Sequence, residues 1–185
     1  MLASASPRRS ELLSRLGIEF EVRIPDVDET HRPGERAQDY VRRLAAEKAA
    51  TVDDPLALVI AADTTVELDG RVLGKPADAA AAIAMLRALS GRTHHVHTGV
   101  AVCAGGRVER DVASTSVTMS SISADLASWY VATGEPLDKA GAYAVQGIGS
   151  VLVEQVRGSV TNVIGLPLTL VVALAQRVGR PLLAR

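Results

Sequence analysis

The 185-residue chain contains a single cysteine, Cys103, and few aromatic residues (3%). One cysteine excludes a disulfide within the chain, and reduced thiols are typical of the cytoplasm, so we expect a cytoplasmic protein. An excess of either charge is missing too, because 20 basic and 21 acidic residues leave a net charge of -1. Proteins that coat nucleic acids carry strong positive charge, so we expect no nucleic-acid polymer as a partner.

Long hydrophobic runs are also missing. Apolar runs such as residues 56–62 fall far short of the roughly 20 residues that cross a bilayer, and the first residues lack the apolar stretch of a secretory signal. We therefore expect no membrane partner. Apolar residues make up 48% of the chain, and no repeat or linker divides it. These features predict a single domain over residues 1–185.

Hydrophobic periodicity and turn residues predict a mixture of helices and strands. We expect strands at residues 1–4, 20–22, 56–68, 71–73, 93–104, 107–119 and 151–156, and helices at residues 7–16, 37–52, 77–89, 124–131 and 167–178. The pairs Asp69-Gly70 and Gly105-Gly106 are typical hairpin turns. Because the two kinds of element do not alternate strictly, the pattern predicts an α/β fold with a mixed central sheet flanked by helices.

The junction of the first strand and the first helix is a candidate anion site. Ser4 and Ser6 supply hydroxyls there, and Arg8 and Arg9 supply guanidinium groups. A helix N-terminus has unpaired N–H groups and a dipole that favours negative charge. This arrangement suits a phosphate, and the alternative interpretation is a capped helix with solvated arginines.

Asp63 is the strongest catalytic candidate in the chain. It lies in an otherwise apolar strand, where an unpaired carboxylate would cost several kcal/mol. Either the strand opens into a cleft at this point or a cation meets the acid; the alternative is a solvated aspartate at a strand end. Alternation along the strand places Thr65 and Glu67 on the face of Asp63 and Thr64 on the other face.

Lysine is scarce as well, with only Lys48, Lys75 and Lys139 against 17 arginines. Lys48 lies on the apolar stripe of its helix, where a charge is costly unless it reaches an anion. Lys75 lies in a proline-restrained loop after the predicted hairpin that begins with the Asp63 strand. The ammonium groups of Lys48 and Lys75 are each predicted either to contact phosphate or simply to reach solvent.

Three further segments carry weaker signals. Residues 26–29 hold clustered carboxylates, which suit Mg²⁺ but can equally be solvated. Residues 94–97 contain three histidines with no cysteine pair elsewhere, so hydrogen-bonded strand residues are expected instead of a zinc site. Gln146 lies in a glycine-containing loop, and its amide has the paired donor and acceptor that read the edge of a base.

In order and spacing, these segments resemble the Maf family of nucleoside triphosphate pyrophosphatases. The resemblance covers essentially the whole chain. It is carried by residues 2–9 (LASASPRR), 26–29 (DVDE), 47–49 (EKA), 62–64 (ADT), 74–76 (GKP), 90–91 (SG), 136–143 (PLDKAGAY), 146–147 (QG) and 165–168 (GLPL). Each motif is short, and their combination makes the resemblance specific.

The resemblance implies an α/β fold of the inosine-triphosphatase-like type, with two lobes around a cleft, and usually a homodimer. It also implies hydrolysis of a nucleoside triphosphate to the monophosphate and pyrophosphate, with a divalent cation, Mg²⁺ or alternatively Mn²⁺. The family branch that acts on dTTP and UTP resembles this chain at Arg8, Thr64 and Gln146. The branch that acts on 7-methyl-GTP has a bulky aromatic residue, a glutamine and a glutamate there.

The residues and the resemblance together predict three roles in one site. Catalysis is expected from Asp63, Lys75 and Lys48, substrate binding from Ser4, Ser6, Arg8, Arg9, Thr64 and Gln146, and metal binding from Glu29 and Asp63. Whether Asp63 is a general base or a metal ligand stays open. The alternatives are a 7-methyl-GTP pyrophosphatase of the same fold and a non-catalytic nucleotide-binding regulator of septation. The expected cellular role is nucleotide-pool housekeeping or control of division.

Overall fold

The computed structural model describes residues 1–183, so residues 184 and 185 of the predicted domain lie outside the described residues. Its strands are β1 (Leu2–Ala3), β2 (Val22–Arg23), β3 (Val59–Leu68), β4 (Arg71–Leu73), β5 (Thr93–Ala104), β6 (Arg107–Met119) and β7 (Val153–Arg157). Its α-helices are α1 (Pro7–Ser14), α2 (Ala37–Ala50), α3 (Ala79–Leu89), α4 (Ala124–Ala132), α5 (Val160–Ile164) and α6 (Leu168–Arg177). Three 3₁₀ turns, Glu135–Asp138, Ala140–Ala142 and Ile148–Leu152, lie between α4 and β7.

The seven strands form one mixed sheet in the order β2-β1-β3-β5-β6-β7, with β4 paired to β3. β1 runs parallel to both β2 and β3, and the remaining pairs are antiparallel. The hairpin of β5 and β6 turns at Gly105 and Gly106, whose φ angles of +54° and +78° favour glycine. The predicted mixed α/β sheet is confirmed.

Helices cover the two faces of the sheet unequally. On one face, α1 and α6 pack against Ile60 and Val100, whereas α3 and α4 pack against Val66 and Val96 further along the same two strands. On the other face, α2 packs against residues such as Ala61. Between these two cores α5 covers the same face, where Thr98 is fully buried and donates to the Asn162 carbonyl oxygen. The two cores define two lobes, and the cleft between the lobes is lined from both faces of β3, by Asp63 and Thr64 among others.

Several predicted boundaries are wrong by a few residues, each for a local reason. The third strand begins at Val59 instead of residue 56, because the Asp54 carboxylate accepts backbone N–H bonds from Leu56 and Ala57 and holds a turn. The second helix ends at Ala50 instead of residue 52, where the Thr51 hydroxyl donates to the Lys48 carbonyl oxygen of the last turn.

Other differences come from short elements that periodicity does not detect. Helix α5 was not predicted, because five residues are too few for a helical pattern. The last strand begins at Val153 instead of residue 151, because a 3₁₀ turn occupies the preceding residues. Within the described residues, none of the helices has the length and apolar character needed to span a membrane.

Candidate active site

The cleft has a volume of about 510 Å³, which is in the range of small-molecule sites. Both lobes contribute to its walls. All ten side chains that were predicted to form the site line it: Ser4, Ser6, Arg8, Arg9, Glu29, Lys48, Asp63, Thr64, Lys75 and Gln146. Residues that are up to 142 positions apart in the chain therefore meet in one concave surface.

A buried ion pair lies in the cleft wall. Asp63 and Lys48 are 7% and 5% exposed, and the Lys48 Nζ atom lies 2.6 Å from Asp63 Oδ1. The same ammonium lies 2.6 Å from Glu29 Oε1. Both conditions expected for Asp63 are met, because β3 opens into a cleft there and a cation meets the acid.

Burial and the neighbouring charges shift the pKa of Asp63 in opposite directions. Desolvation raises the pKa of its carboxyl group, whereas Lys48 and Arg9 oppose that rise. Oδ1 accepts the hydrogen bond from Lys48, and no other donor in residues 1–183 reaches this carboxylate. Oδ2 is therefore open to a ligand in the cleft.

Glu29 reaches Lys48 because α2 anchors the loop that carries it. The Tyr40 hydroxyl donates to the Glu29 carbonyl oxygen at 2.9 Å, and Arg43 donates to the Thr30 carbonyl oxygen at 3.2 Å. Of the three carboxylates at residues 26–29, only that of Glu29 lines the cleft, within the part of the chain that the structure describes. The acidic loop thus contributes one carboxylate to the site.

The Arg9 guanidinium is fixed by three neutral acceptors from three elements. Its Nε donates to the Gly165 carbonyl oxygen at 2.8 Å, and its two terminal nitrogens donate to Ser4 Oγ at 3.2 Å and Thr64 Oγ1 at 3.1 Å. Burial lowers the pKa of Arg9, but a guanidinium stays charged in proteins. Because it has five N–H groups, two remain for a ligand after these bonds within residues 1–183.

Thr64 belongs to a directional chain of hydroxyl groups. As predicted, it lies on the face of β3 opposite to Asp63, where its Oγ1 is 2.9 Å from Thr98 Oγ1. Thr98 in turn donates to the Asn162 carbonyl oxygen at 3.0 Å. Since Thr98 has one proton, Thr64 donates to Thr98 and accepts from Arg9. In this structure its hydroxyl is thus engaged with Arg9 and Thr98.

Arg8 points away from its neighbour Arg9. It forms a salt bridge of 2.8 Å with Asp138 Oδ2, and Lys139 Nζ lies 2.5 Å from Asp138 Oδ1. Lys139 also donates to the Glu135 carbonyl oxygen at 2.6 Å. This cluster borders the cleft on the side formed by residues 138–146.

The remaining predicted residues shape the rim and the floor. Lys75 and Gln146 are exposed at the cleft. The Ser4 hydroxyl accepts the backbone N–H of Ser6 at 3.2 Å, which holds the turn that leads into α1. No side-chain cap bond from Ser6 is formed at this helix start.

Sequence reasoning missed five polar residues that also line the cleft: Tyr40, Thr65, Asp138, Lys139 and Tyr143. Asp138 ends one 3₁₀ turn and Lys139 lies between it and the next, in a segment that the sequence showed only as an irregular loop. Lys139 was noted for the scarcity of lysine but given no place in the site. The available signal was the acidic–basic pair beside the loop that contains Gln146.

Two of the three histidines at residues 94–97, His94 and His97, are hydrogen-bonded strand residues, as predicted. His94 Nε2 lies 2.8 Å from the Tyr143 hydroxyl, and His97 Nδ1 lies 2.8 Å from Ser114 Oγ. Burial lowers the pKa of His94 to about 4, so its ring is neutral at pH 7. Within residues 1–183, no three or more His, Cys, Asp and Glu side chains group as a metal site.

The site is a polar cleft in which fixed cations lie beside a lysine-paired carboxylate. A cleft of this size and character is typical of α/β proteins that bind small phosphorylated ligands. Residues 1–178 match the model of the Maf family, described as Maf-like protein. The chain belongs to this family, and the resemblance drawn from its motifs is confirmed.

Curated relatives cover nearly the whole chain. It is 57% identical over 184 residues to a dTTP/UTP pyrophosphatase of Myxococcus xanthus (strain DK1622), which covers 98% of this chain and 93% of the relative. It is 55% identical to a dTTP/UTP pyrophosphatase of Anaeromyxobacter dehalogenans (strain 2CP-1 / ATCC BAA-258), with 98% and 95% covered. A protein of the same name from Acinetobacter baylyi (strain ATCC 33305 / BD413 / ADP1) is 45% identical, with 96% and 98% covered.

Proposed function

We propose that this chain hydrolyses dTTP and UTP to the nucleoside monophosphate and pyrophosphate. The observation that carries the proposal is the buried Asp63–Lys48 pair, which faces the same cleft as Arg9. The names of the relatives, which match over more than nine tenths of their length, support the same substrates. A cleft of about 510 Å³ accommodates a nucleotide-sized ligand.

In this proposal, water attacks the α-phosphorus and the bond from that phosphorus to the α–β bridging oxygen breaks. Pyrophosphate leaves with the bridging oxygen, and the proton of the water passes to Asp63 Oδ2. The two unpaired N–H groups of Arg9, together with Lys48 and Lys75, neutralise the charge that develops on the phosphate oxygens. Catalysis here consists of positioning and electrostatics.

We propose a divalent cation as cofactor, Mg²⁺ with Mn²⁺ as the alternative. The donor set fits such an ion, because two carboxylate oxygens, of Glu29 and Asp63, each lie 2.6 Å from the same ammonium group, and the region thus accepts positive charge. Mg²⁺ usually takes only one or two carboxylates and completes its shell with water and substrate phosphates. When bound, the cation would neutralise charge on the phosphates; Glu29 and Asp63 would hold it.

Base selection is proposed for Arg8, Thr64 and Gln146. A neutral glutamine amide has one donor and one acceptor side, which match the carbonyl and N–H of a thymine or uracil edge. A glutamate would suit a base that presents donors or carries positive charge, such as 7-methylguanine.

A panel of nucleoside triphosphates with Mg²⁺ tests this proposal. Pyrophosphate release from dTTP and UTP, with little orthophosphate, is expected. The double change Thr64→Gln with Gln146→Glu should then shift activity away from dTTP. Release mainly from 7-methyl-GTP by the unchanged chain would overturn the base assignment, and tight dTTP binding without release would indicate a regulator.

We further propose a single-domain homodimer in the cytoplasm. The family resemblance supports the dimer, and the single cysteine supports a reducing compartment. Light scattering on the purified chain should give twice the mass of 19.4 kDa. A mass that stays at that of one chain at micromolar concentration would refute the dimer.

A further inference from the structure

The salt bridge between Arg8 and Asp138 joins the two sides of the cleft. Arg8 belongs to the first turn of α1, and Asp138 ends a 3₁₀ turn 130 residues later. A second contact joins a terminal nitrogen of Arg8 to the Asp138 carbonyl oxygen at 3.5 Å. The guanidinium is thus held from the lobe opposite to its own helix.

The neighbouring arginine has a different environment. Arg9 donates to a carbonyl oxygen and two hydroxyls, and no carboxylate of residues 1–183 forms a salt bridge with it, so its charge is left for a ligand. The charge of Arg8 is matched by a carboxylate at 2.8 Å. Of these two consecutive arginines, Arg9 remains a strong ligand for an anion and Arg8 does not.

We propose that Asp138 is a positioning residue that acts through Arg8 to set substrate orientation and base selectivity. By pairing with Arg8, it withdraws that guanidinium from the phosphates and holds its remaining N–H groups toward the side of the cleft that contains Gln146. The triphosphate is then left to Arg9 and Lys48, and the base to Arg8 and Gln146. This inference rests on the proposed nucleotide substrate.

The surroundings of Asp138 suit this role. Lys139 contacts its second carboxylate oxygen, so two cations hold one acid in place. Hydrogen bonds from Lys139 and Arg8 outweigh desolvation and lower the pKa of Asp138 to about 2, which keeps the carboxylate charged at any physiological pH. Although Asp138 is exposed, with 63% of its side chain accessible, it is tethered from both sides.

The variant Asp138→Asn separates this role from a merely structural one. It frees the charge of Arg8, so inorganic tripolyphosphate, which has no base, should bind about tenfold more tightly by calorimetry. The ratio of kcat/KM for dTTP over dCTP should fall about tenfold in the same variant. A loss of packing alone would weaken both ligands and would not strengthen binding of tripolyphosphate.

Three further variants complete the test. Arg8→Gln should lower the dTTP-to-dCTP ratio without tightening tripolyphosphate, and Asp138→Asn added to Arg8→Gln should have no further effect. Asp125→Asn, which removes an exposed negative charge from α4 outside the cleft lining, is the matched control and should change neither quantity.

Unchanged selectivity and unchanged tripolyphosphate affinity in Asp138→Asn would overturn the inference, as would an additive effect of the two substitutions. If the unchanged chain releases no pyrophosphate from any nucleotide, the proposed function fails. The calorimetric comparison with tripolyphosphate needs no turnover, so it still decides whether Asp138 restrains Arg8. If Asp138→Asn does not fold, Asp138→Ser with the same two readouts replaces it.

Discussion

Asp63 and Lys48 are the residues on which the chemistry depends most. Both are buried, and the Lys48 ammonium lies 2.6 Å from a carboxylate oxygen of Asp63, the same distance as from Glu29. Removing one partner of a buried pair leaves an unmatched charge, which costs more than the intact pair contributes. We therefore expect a single substitution in this pair to lower the stability of the protein more than substitution of both residues does.

Lys48→Met should lower the stability of the protein by about 3 kcal/mol and reduce turnover by at least about 100-fold. Asp63 then loses its nearest cation, and its pKa rises further because burial is no longer opposed by Lys48. Thermal unfolding and pyrophosphate release measure the two effects. Adding Asp63→Asn should restore most of the stability but none of the turnover; a double variant as unstable as Lys48→Met would speak against the pairing.

Lys75→Ala should leave folding almost unchanged and impair catalysis. Lys75 is exposed at the cleft, and exposed substitutions usually change stability by less than about 0.5 kcal/mol. Loss of a charge that acts on the phosphates should reduce kcat about 100-fold. Arg71→Ala, an exposed cation in β4 outside the cleft lining, serves as the control. Unchanged turnover in Lys75→Ala would remove Lys75 from the site.

At the scale of elements, α2 connects the sheet to the acidic loop. It packs against β3 and β5, presents Lys48 to the cleft and anchors the segment of Glu29 through Tyr40 and Arg43. Its close approach to the sheet depends on Gly99. A Cβ atom at that position would lie 2.2 Å from the Val41 carbonyl oxygen.

Gly99→Ala should therefore destabilise the protein by about 3 kcal/mol, because the clash is with backbone that cannot rotate away. Lys48 would shift with α2, and activity should fall as well. Gly74→Ala is the comparison, since a Cβ there meets nothing within 4 Å, and its melting temperature should stay close to the original. Equal melting temperatures for the two variants would refute the packing argument.

The anchor between Arg43 and Glu35 gives the loop a pH dependence. The hydrogen bond from Arg43 lowers the pKa of Glu35 from 4.5 to about 2. A lowered pKa contributes stability that is present above pH 4.5 and is lost as the pH falls toward 2. Glu35→Gln should cost about 1 kcal/mol at pH 7, and this difference should vanish in urea unfolding near pH 2. A stability difference between the two proteins that does not change with pH would contradict this role of Glu35.

Much of this architecture could be predicted from the sequence, for identifiable reasons. The hairpin of β5 and β6 was predicted to the residue, because two glycines mark its turn and apolar residues are frequent on both sides. Helix α5 was not predicted, because a five-residue helix that is held by the Ser159 cap is too short to show a periodic pattern of apolar residues. Asp138 was missed because its partner Arg8 lies 130 residues away, and only the tertiary structure brings them together.

For the whole molecule, the cleft follows from how the cores are distributed. The helices α1 and α6 bury one part of a sheet face, α3 and α4 bury another, and α5 covers the strands between them. The cleft is lined from both faces of β3, by Asp63 and Thr64 among others. Asp63 lies on β3, which runs through both lobes. Residues from the two ends of the chain thus meet over the central strands without a separate domain.

Phosphorus NMR of dTTP with the protein and Mg²⁺ is the most direct test of the proposed reaction, because it resolves dTMP, pyrophosphate and orthophosphate in one spectrum. We predict that dTMP and pyrophosphate accumulate in equal amounts, and that Asp63→Asn, which keeps the shape of the side chain, abolishes both while dTTP still binds. Orthophosphate as the first product would contradict cleavage between the α- and β-phosphates. Full turnover by Asp63→Asn would contradict the role of the buried carboxylate.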